Sequence, residues 1–180
     1  AYADYKEMMK FVEKIFENLL KKVFGSLKIK YEGKEIDFKT PWPRIEFSQI
    51  FKKYTKINLD DIHPEALKKE AKKLGIEVEK GAQIAEIADA IYKKYCQPEI
   101  WQPTFIINHP SGSFPLAKPL EKEPKKLANF QLVAAGWELA NAFSELKDPI
   151  EQRKRYKDQE KIFKEGYGEA QRLDEDFIEA

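Results

Sequence analysis

The chain has 180 residues, 42% apolar and 35% charged, the balance of a soluble globular domain long enough to bury a core. Lys and Arg number 32 against 31 Asp and Glu, which argues against a dedicated nucleic-acid domain, since those carry a clear basic excess. No segment reaches the roughly 18 to 20 apolar residues of a membrane helix, the N-terminus has no apolar signal core, and a lone Cys96 without zinc spacing suits a reducing cytoplasm.

Residues 4 to 24 read as the first helix, with Met8, Val12, Ile15, Phe16, Leu19 and Val23 at helical spacing. Gly25 stands at its stop, just past Lys21 and Lys22, whose charge suits the negative end of the helix dipole. LKIKYEGKEIDF reads as a hairpin around Glu32-Gly33. Pro41 and Pro43 bracket Trp42 and interrupt regular structure before RIEFSQIFKKYT, a strand end running into a short helix. Residues 58 to 96 read as mostly helical: HPEALKKEAKKLG, closed by Gly75, and a second helix from Ala82 to Tyr95. Their Lys and Glu runs are a solvated face rather than an RNA patch.

After Pro98 the pattern turns to strands: TFIIN (104–108), NFQLVAAG (129–136) and WELANAFSEL (137–146). The loop HPSGSFPLAKPLEKEP joins the first two. A polar helix follows from Pro149 to Lys164, with Asp148 as N-cap. Gly166 and Gly168 end it, and LDEDFIEA begins another element. The class is α+β, with an antiparallel sheet because the last strands lack helical crossovers.

Glu138, Asn141 and Glu145 interrupt an otherwise apolar strand. Either that strand floors a ligand site, where buried carboxylates need cations or donors, or one face simply meets water. Cys96 reads as a small buried side chain, His63 as the residue opening a helix, and His109 as a loop residue. Trp42, Trp101 and Trp137 read as packing residues, with Trp137 able to border a site at the hairpin.

The run QPTFIINHP, PLAK, ELANAFSELKDPIEQRKRY, together with YADYKEMM, the IDF strand and LDEDFIEA, is similar in order and spacing to class II lysyl-tRNA synthetases. The resemblance spans nearly the whole chain and is weakest over 52–95. It implies a partial class II synthetase core over 1–180: an antiparallel sheet, flanking helices and a helical insertion at about 52–96. The stretch is the one between that fold's second and third signature motifs.

What the resemblance implies for chemistry follows residue by residue. Asn141, Phe143 and Glu145 match positions lining the lysine and ATP site, with Glu145 pairing the substrate's charged groups and Phe143 an apolar wall. Glu138 matches a Mg2+ ligand near the ATP phosphates. Gln131 stands where a second acidic ligand is common, so its neutral carbonyl oxygen would be a weak ligand. Gly112 and Phe114 replace an acid and a serine before PLAK, and Lys147 replaces an asparagine. No catalytic residue is expected within these positions, because the arginines of motifs 2 and 3 fall outside them. Arg44, Arg153, Arg155 and Arg172 match none of the motif positions. Motif 1 and the OB-type anticodon domain are missing too. The implied partners are lysine, ATP and lysine tRNA, with a homodimeric parent enzyme in the cytoplasm. A paralogue that lysylates a translation factor and a non-catalytic synthetase-derived binding protein are the alternatives. The intact AFSEL and PLAK favour the tRNA enzyme.

Two geometric expectations come with this. Strict alternation puts Glu138 on the face opposite Asn141, Phe143 and Glu145. One shared pocket therefore requires a bulge or sharp twist between Glu138 and Asn141. A tight turn at Ala135-Gly136 should set Gln131 against Glu138, and strand 104–108 should join the same sheet.

Overall fold

Asp4 starts the first helix, α1 (Tyr5–Phe24), through a capping box. Its carboxylate accepts from the N–H groups of Lys6 and Glu7 at 2.9 and 2.8 Å, and Glu7 accepts from Asp4 N–H. Gly25, at φ 64, ends the helix where the sequence expects it. The computed structural model describes residues 3–79, 81–164 and Glu175. Gly166, Gly168 and all but one residue of the terminal LDEDFIEA lie outside the described residues.

Along the chain follow β1 (Lys28–Tyr31), β2 (Lys34–Asp37), β3 (Arg44–Glu46), α2 (Phe47–Thr55), α3 (Pro64–Lys73) and α4 (Ile84–Tyr95). Then come β4 (Thr104–Ile107), β5 (Asn129–Ala134), β6 (Trp137–Phe143) and α5 (Pro149–Lys164). β1 and β2 form the expected hairpin, with Glu32 and Gly33 both at positive φ. The other four strands make one sheet in the order β3-β4-β5-β6.

β4, β5 and β6 are antiparallel neighbours as expected, and β4 joins the sheet beside β5. β3 pairs parallel to β4, which the sequence reading did not anticipate. The strand end and short helix read in RIEFSQIFKKYT are both present as β3 and α2; what three residues cannot announce is which strand they pair with. The crossover that parallel pairing needs is supplied by α2, α3 and α4, which lie between β3 and β4 in the chain.

Each face of the sheet has its own core. Phe105, Phe130, Leu132 and Ala134 face α1 and the small hairpin, meeting Met9, Leu20, Phe38 and Trp42. Ile106 and Val133 face the helical side, meeting Phe47, Phe51, Ile91 and Tyr92. Each such fully buried side chain contributes about 1.5–3 kcal/mol relative to exposure. Trp42 is the packing residue expected, buried against Phe16, Phe38 and Phe105. Trp137 is not: it stands exposed at the end of the edge strand. Half the apolar stripe expected of α1 is also uncovered, with Ile15, Leu19 and Val23 exposed beside Phe11.

Candidate functional site

β6 follows β5 through a two-residue turn in which Ala135 and Gly136 have φ 50 and 76, the twist that tight hairpins favour. The turn is pinned from outside: Ala135 N–H donates to Trp101 O at 2.9 Å and Gly136 N–H to Ile100 O at 3.0 Å. A Cβ on Gly136 would sit 3.2 Å from Pro98 Cα, so close approach as well as φ requires glycine.

The ladder pairs Val133 with Glu138 but Leu132 with Ala140, leaving Leu139 as an extra residue. This is the bulge expected between Glu138 and Asn141. It restores Glu138 to the face that carries Asn141, opposite Gln131, and Phe143, opposite Asn129. The strand expected to run to 146 stops at Phe143, and the next residues pair with the loop before β5. Lys118 N–H donates to Ser144 O at 2.7 Å, Leu146 N–H donates to Leu116 O at 2.8 Å, and Ala117 bridges Glu145.

Gln131, Glu138 and Asn141 come together. Gln131 Nε2 donates to Glu138 Oε2 at 3.0 Å, and Asn141 Nδ2 donates to Glu138 Oε1. They line a cleft of about 330 Å³ with His109, Phe114 and the α4 residues Glu86, Asp89 and Lys93. Phe143 borders it, half-buried, its ring 6.1 Å from that of Phe114. Glu145 lies outside this cleft, exposed, with no hydrogen bond or ion pair among the described residues.

His109 is more than the loop residue it looked like. Asn108, at φ 59, turns the chain at the end of β4, a conformation asparagine tolerates. The imidazole then inserts among Phe47, Tyr92 and Phe114, with centroid distances of 4.7, 6.3 and 5.6 Å. Its Nδ1 lies 2.9 Å from Asn129 Nδ2 and its Nε2 lies 3.0 Å from Gln131 Oε1. Burial pushes His109 down to about 4, so the ring is neutral. The carbonyl oxygen of Gln131, expected to face a metal, thus faces His109. No group of three His, Cys, Asp or Glu among the described residues could hold an ion. One signal for this network was present in sequence: Asn129 and Gln131 are polar at a spacing of two on an otherwise apolar strand.

A second set sits on α5, of which the sequence reading found the Asp148 cap and missed the bonds of Gln152 and Arg155. Asp148 caps the helix, accepting from Ile150 N–H at 2.9 Å. Gln152 Nε2 donates to Leu146 O. Arg155 donates to Pro115 O at 3.2 Å and Ala117 O at 2.8 Å. Arg44 pairs with Glu13, and Arg153 with Glu175. None of these three arginines lines the cleft. Cys96 is wholly buried and its thiol is pushed up to about 12, the packing role expected of it.

No helix among the described residues is long and apolar enough to cross a membrane. The sequence profile of the tRNA synthetases class II (D, K and N) matches residues 1–180. The chain is 39% identical to the lysine–tRNA ligase of Chloroflexus aurantiacus, over all of this chain and 37% of that protein. It is 39% identical to the Thermotoga maritima lysine–tRNA ligase and 37% to that of Porphyromonas gingivalis, covering 36% and 31% of their lengths. The chain therefore spans about a third of the length of these curated relatives. Matched along its whole length by the family profile, the chain belongs to the class II tRNA synthetases.

Proposed function

We propose that this chain is part of a lysine–tRNA ligase and contributes the β6 side of the site that receives lysine and ATP. The observation that carries the reading is the bulge at Leu139, which brings Glu138 onto the face of Asn141 and Phe143. Glu145, exposed and unpaired among the described residues, is the carboxylate that meets the ammonium groups of lysine through charge-assisted hydrogen bonds. Phe143 walls the aliphatic part of the substrate, and Asn141 offers an amide beside it. Glu138 is the β6 carboxylate facing the side where Mg2+ arrives with ATP, and it contributes negative charge there rather than a ligand pair with Gln131. Lysine tRNA as acceptor, a homodimeric parent and a cytoplasmic setting belong to the same reading, as does residues 52–96 being an insertion.

Amino-acid activation lets the substrate carboxylate attack the α-phosphate, and the enzyme contributes positioning and positive charge. Arg44, Arg153 and Arg155 are all engaged away from the cleft. The chain's own share is thus recognition of lysine rather than charge stabilisation, and none of its residues is assigned a catalytic role.

Lysine titrated into the 15N-labelled chain tests this, with norleucine, which lacks the ε-ammonium, as control. Lysine should shift amide signals within 137–146 and norleucine should not, and Glu145→Gln should remove the response. Equal responses to both amino acids, or none at millimolar lysine, would overturn the assignment. Lysine-dependent pyrophosphate exchange by the chain alone should stay at background. None of Arg44, Arg153 and Arg155 faces the cleft, and a single preorganised charge-stabilising group is worth on the order of 3 to 4 kcal/mol.

A further inference from the structure

The amides around His109 admit one arrangement only, because one end of the network is a backbone group whose direction is fixed. His109 N–H can only donate, and it points at the Asn129 side chain at 3.0 Å, so the atom there is Oδ1. Asn129 Nδ2 then faces His109 Nδ1 at 2.9 Å, which makes Nδ1 the acceptor and leaves the ring proton on Nε2. Nε2–H must find an acceptor, and Gln131 Oε1 lies 3.0 Å away. That leaves Gln131 Nε2 toward Glu138 Oε2, at 3.0 Å. Asn129, His109 and Gln131 are 1%, 2% and 6% exposed, so their polar groups depend on one another as partners. Turning Gln131 to offer its oxygen to a cation would set its NH2 against the Nε2–H of His109, two donors face to face. Undoing that clash needs the other ring tautomer, which the backbone N–H of His109 forbids through Asn129.

We infer that Gln131 is locked as a hydrogen-bond donor, and that its amide N–H occupies the position a divalent cation would take between carboxylates at 131 and 138. The pair Gln131–Glu138 therefore holds no metal, and Glu138 is oriented by the amides of Gln131 and Asn141 instead. The inference rests on the hydrogen-bond network and stands whether or not the chain binds lysine. A glutamate at 131 would keep the His109 bond, since a carboxylate oxygen accepts from Nε2–H equally well. Its second oxygen would then face Glu138 at the distance now spanned by N–H···O, and two carboxylates that close require a cation or a proton.

Two measurements test this. The 15N shifts of the His109 ring, read by long-range 1H–15N correlation on the wild-type chain, should report the neutral Nε2–H form. A ring protonated at Nδ1 would overturn the lock. Mn2+ titration followed by electron paramagnetic resonance supplies the second. Gln131→Ala should change wild-type Mn2+ affinity less than twofold, and Gln131→Glu should raise it tenfold or more, with the gain lost in Gln131→Glu/Glu138→Gln. A tenfold weakening in Gln131→Ala would show that the amide ligates after all. A Gln131→Glu chain with a wild-type circular dichroism spectrum and no gain would show that the amide is not what excludes the cation. If Gln131→Glu fails to fold, the ring tautomer and the Gln131→Ala comparison still decide.

Discussion

Acid should loosen this fold through His109. The ring is buried and neutral, held at about 4 in the folded chain, against about 6.5 for an unconstrained histidine. Between those values the unfolded chain binds a proton that the folded chain refuses, so stability falls as pH drops through 6.5 and the loss is complete near 4. At about 1.36 kcal/mol per pH unit the whole difference is about 3 kcal/mol, and about 2 kcal/mol of it is gone by pH 5. With a urea dependence of about 2 kcal/mol per molar, the unfolding midpoint should fall by about 1 M between pH 7 and pH 5. The only other histidine, His63, is exposed at the start of α3. His109→Gln supplies the control, removing the titrating group while keeping a side chain that can donate to Gln131. The variant should be less stable at pH 7 yet lose much less on acidification. Equal slopes for wild type and variant over that window would refute the account of His109 as a buried neutral relay.

Gly136→Ala should cost about 1–3 kcal/mol by urea unfolding, from positive φ plus a Cβ crowding Pro98. Gly33→Ala, at nearly the same φ but in open space, should cost less, and equal losses would show that the contact with Pro98 is irrelevant. Arg155→Met keeps the side-chain stem but drops two bonds to backbone carbonyls. It should destabilise by about 1–3 kcal/mol and speed amide exchange at Lys118 and Leu146, while unchanged exchange would remove its clamping role. The exposed stripe Phe11, Ile15, Leu19 and Val23 on α1 is large for a monomer surface. Sedimentation should reveal concentration-dependent association that Phe11→Glu/Leu19→Glu abolishes.

Elements whose signals are local were legible in the sequence. The apolar spacing over 4–24 and the stop at Gly25 bound α1, and Glu32-Gly33 makes a hairpin turn whatever lies beyond it. The bulge was legible in a different way. Alternation alone sends Glu138 away from Asn141, and only the demand that both serve one pocket required an extra residue, which is Leu139. Hidden from the sequence were features made by distant pairings. The strand end at Arg44–Glu46 was readable, but its parallel pairing with β4, 60 residues on, was not. His109 becomes the centre of a network because β5 brings Asn129 and Gln131, 20 and 22 residues later, against its ring. The polar pair Asn129 and Gln131 on an apolar strand marks that something polar meets β5, but nothing marks His109 as that partner, since a histidine before a proline reads the same in an exposed loop.

The segment after β6 explains why a carboxylate at 145 can be positioned without partners of its own. Asp148 begins α5, and one and two turns on from the cap Gln152 and Arg155 point back along the same face. Gln152 fixes the carbonyl of Leu146, and Arg155 fixes the carbonyls of Pro115 and Ala117. Leu146 follows Glu145 and Ala117 is its partner in the bridge, so the main chain at Glu145 is held from both sides while its side chain makes no bond among the described residues. A carboxylate held this way can meet a cationic ligand without first breaking an internal ion pair, and on binding only its side chain, not its main chain, has still to be ordered. Glu138 is the opposite case, its two oxygens already occupied by amides. Glu138 stands within β6 and Glu145 beyond its end; of the two, Glu145 is the one whose side chain has no bond among the described residues, which is why the lysine assignment rests on it.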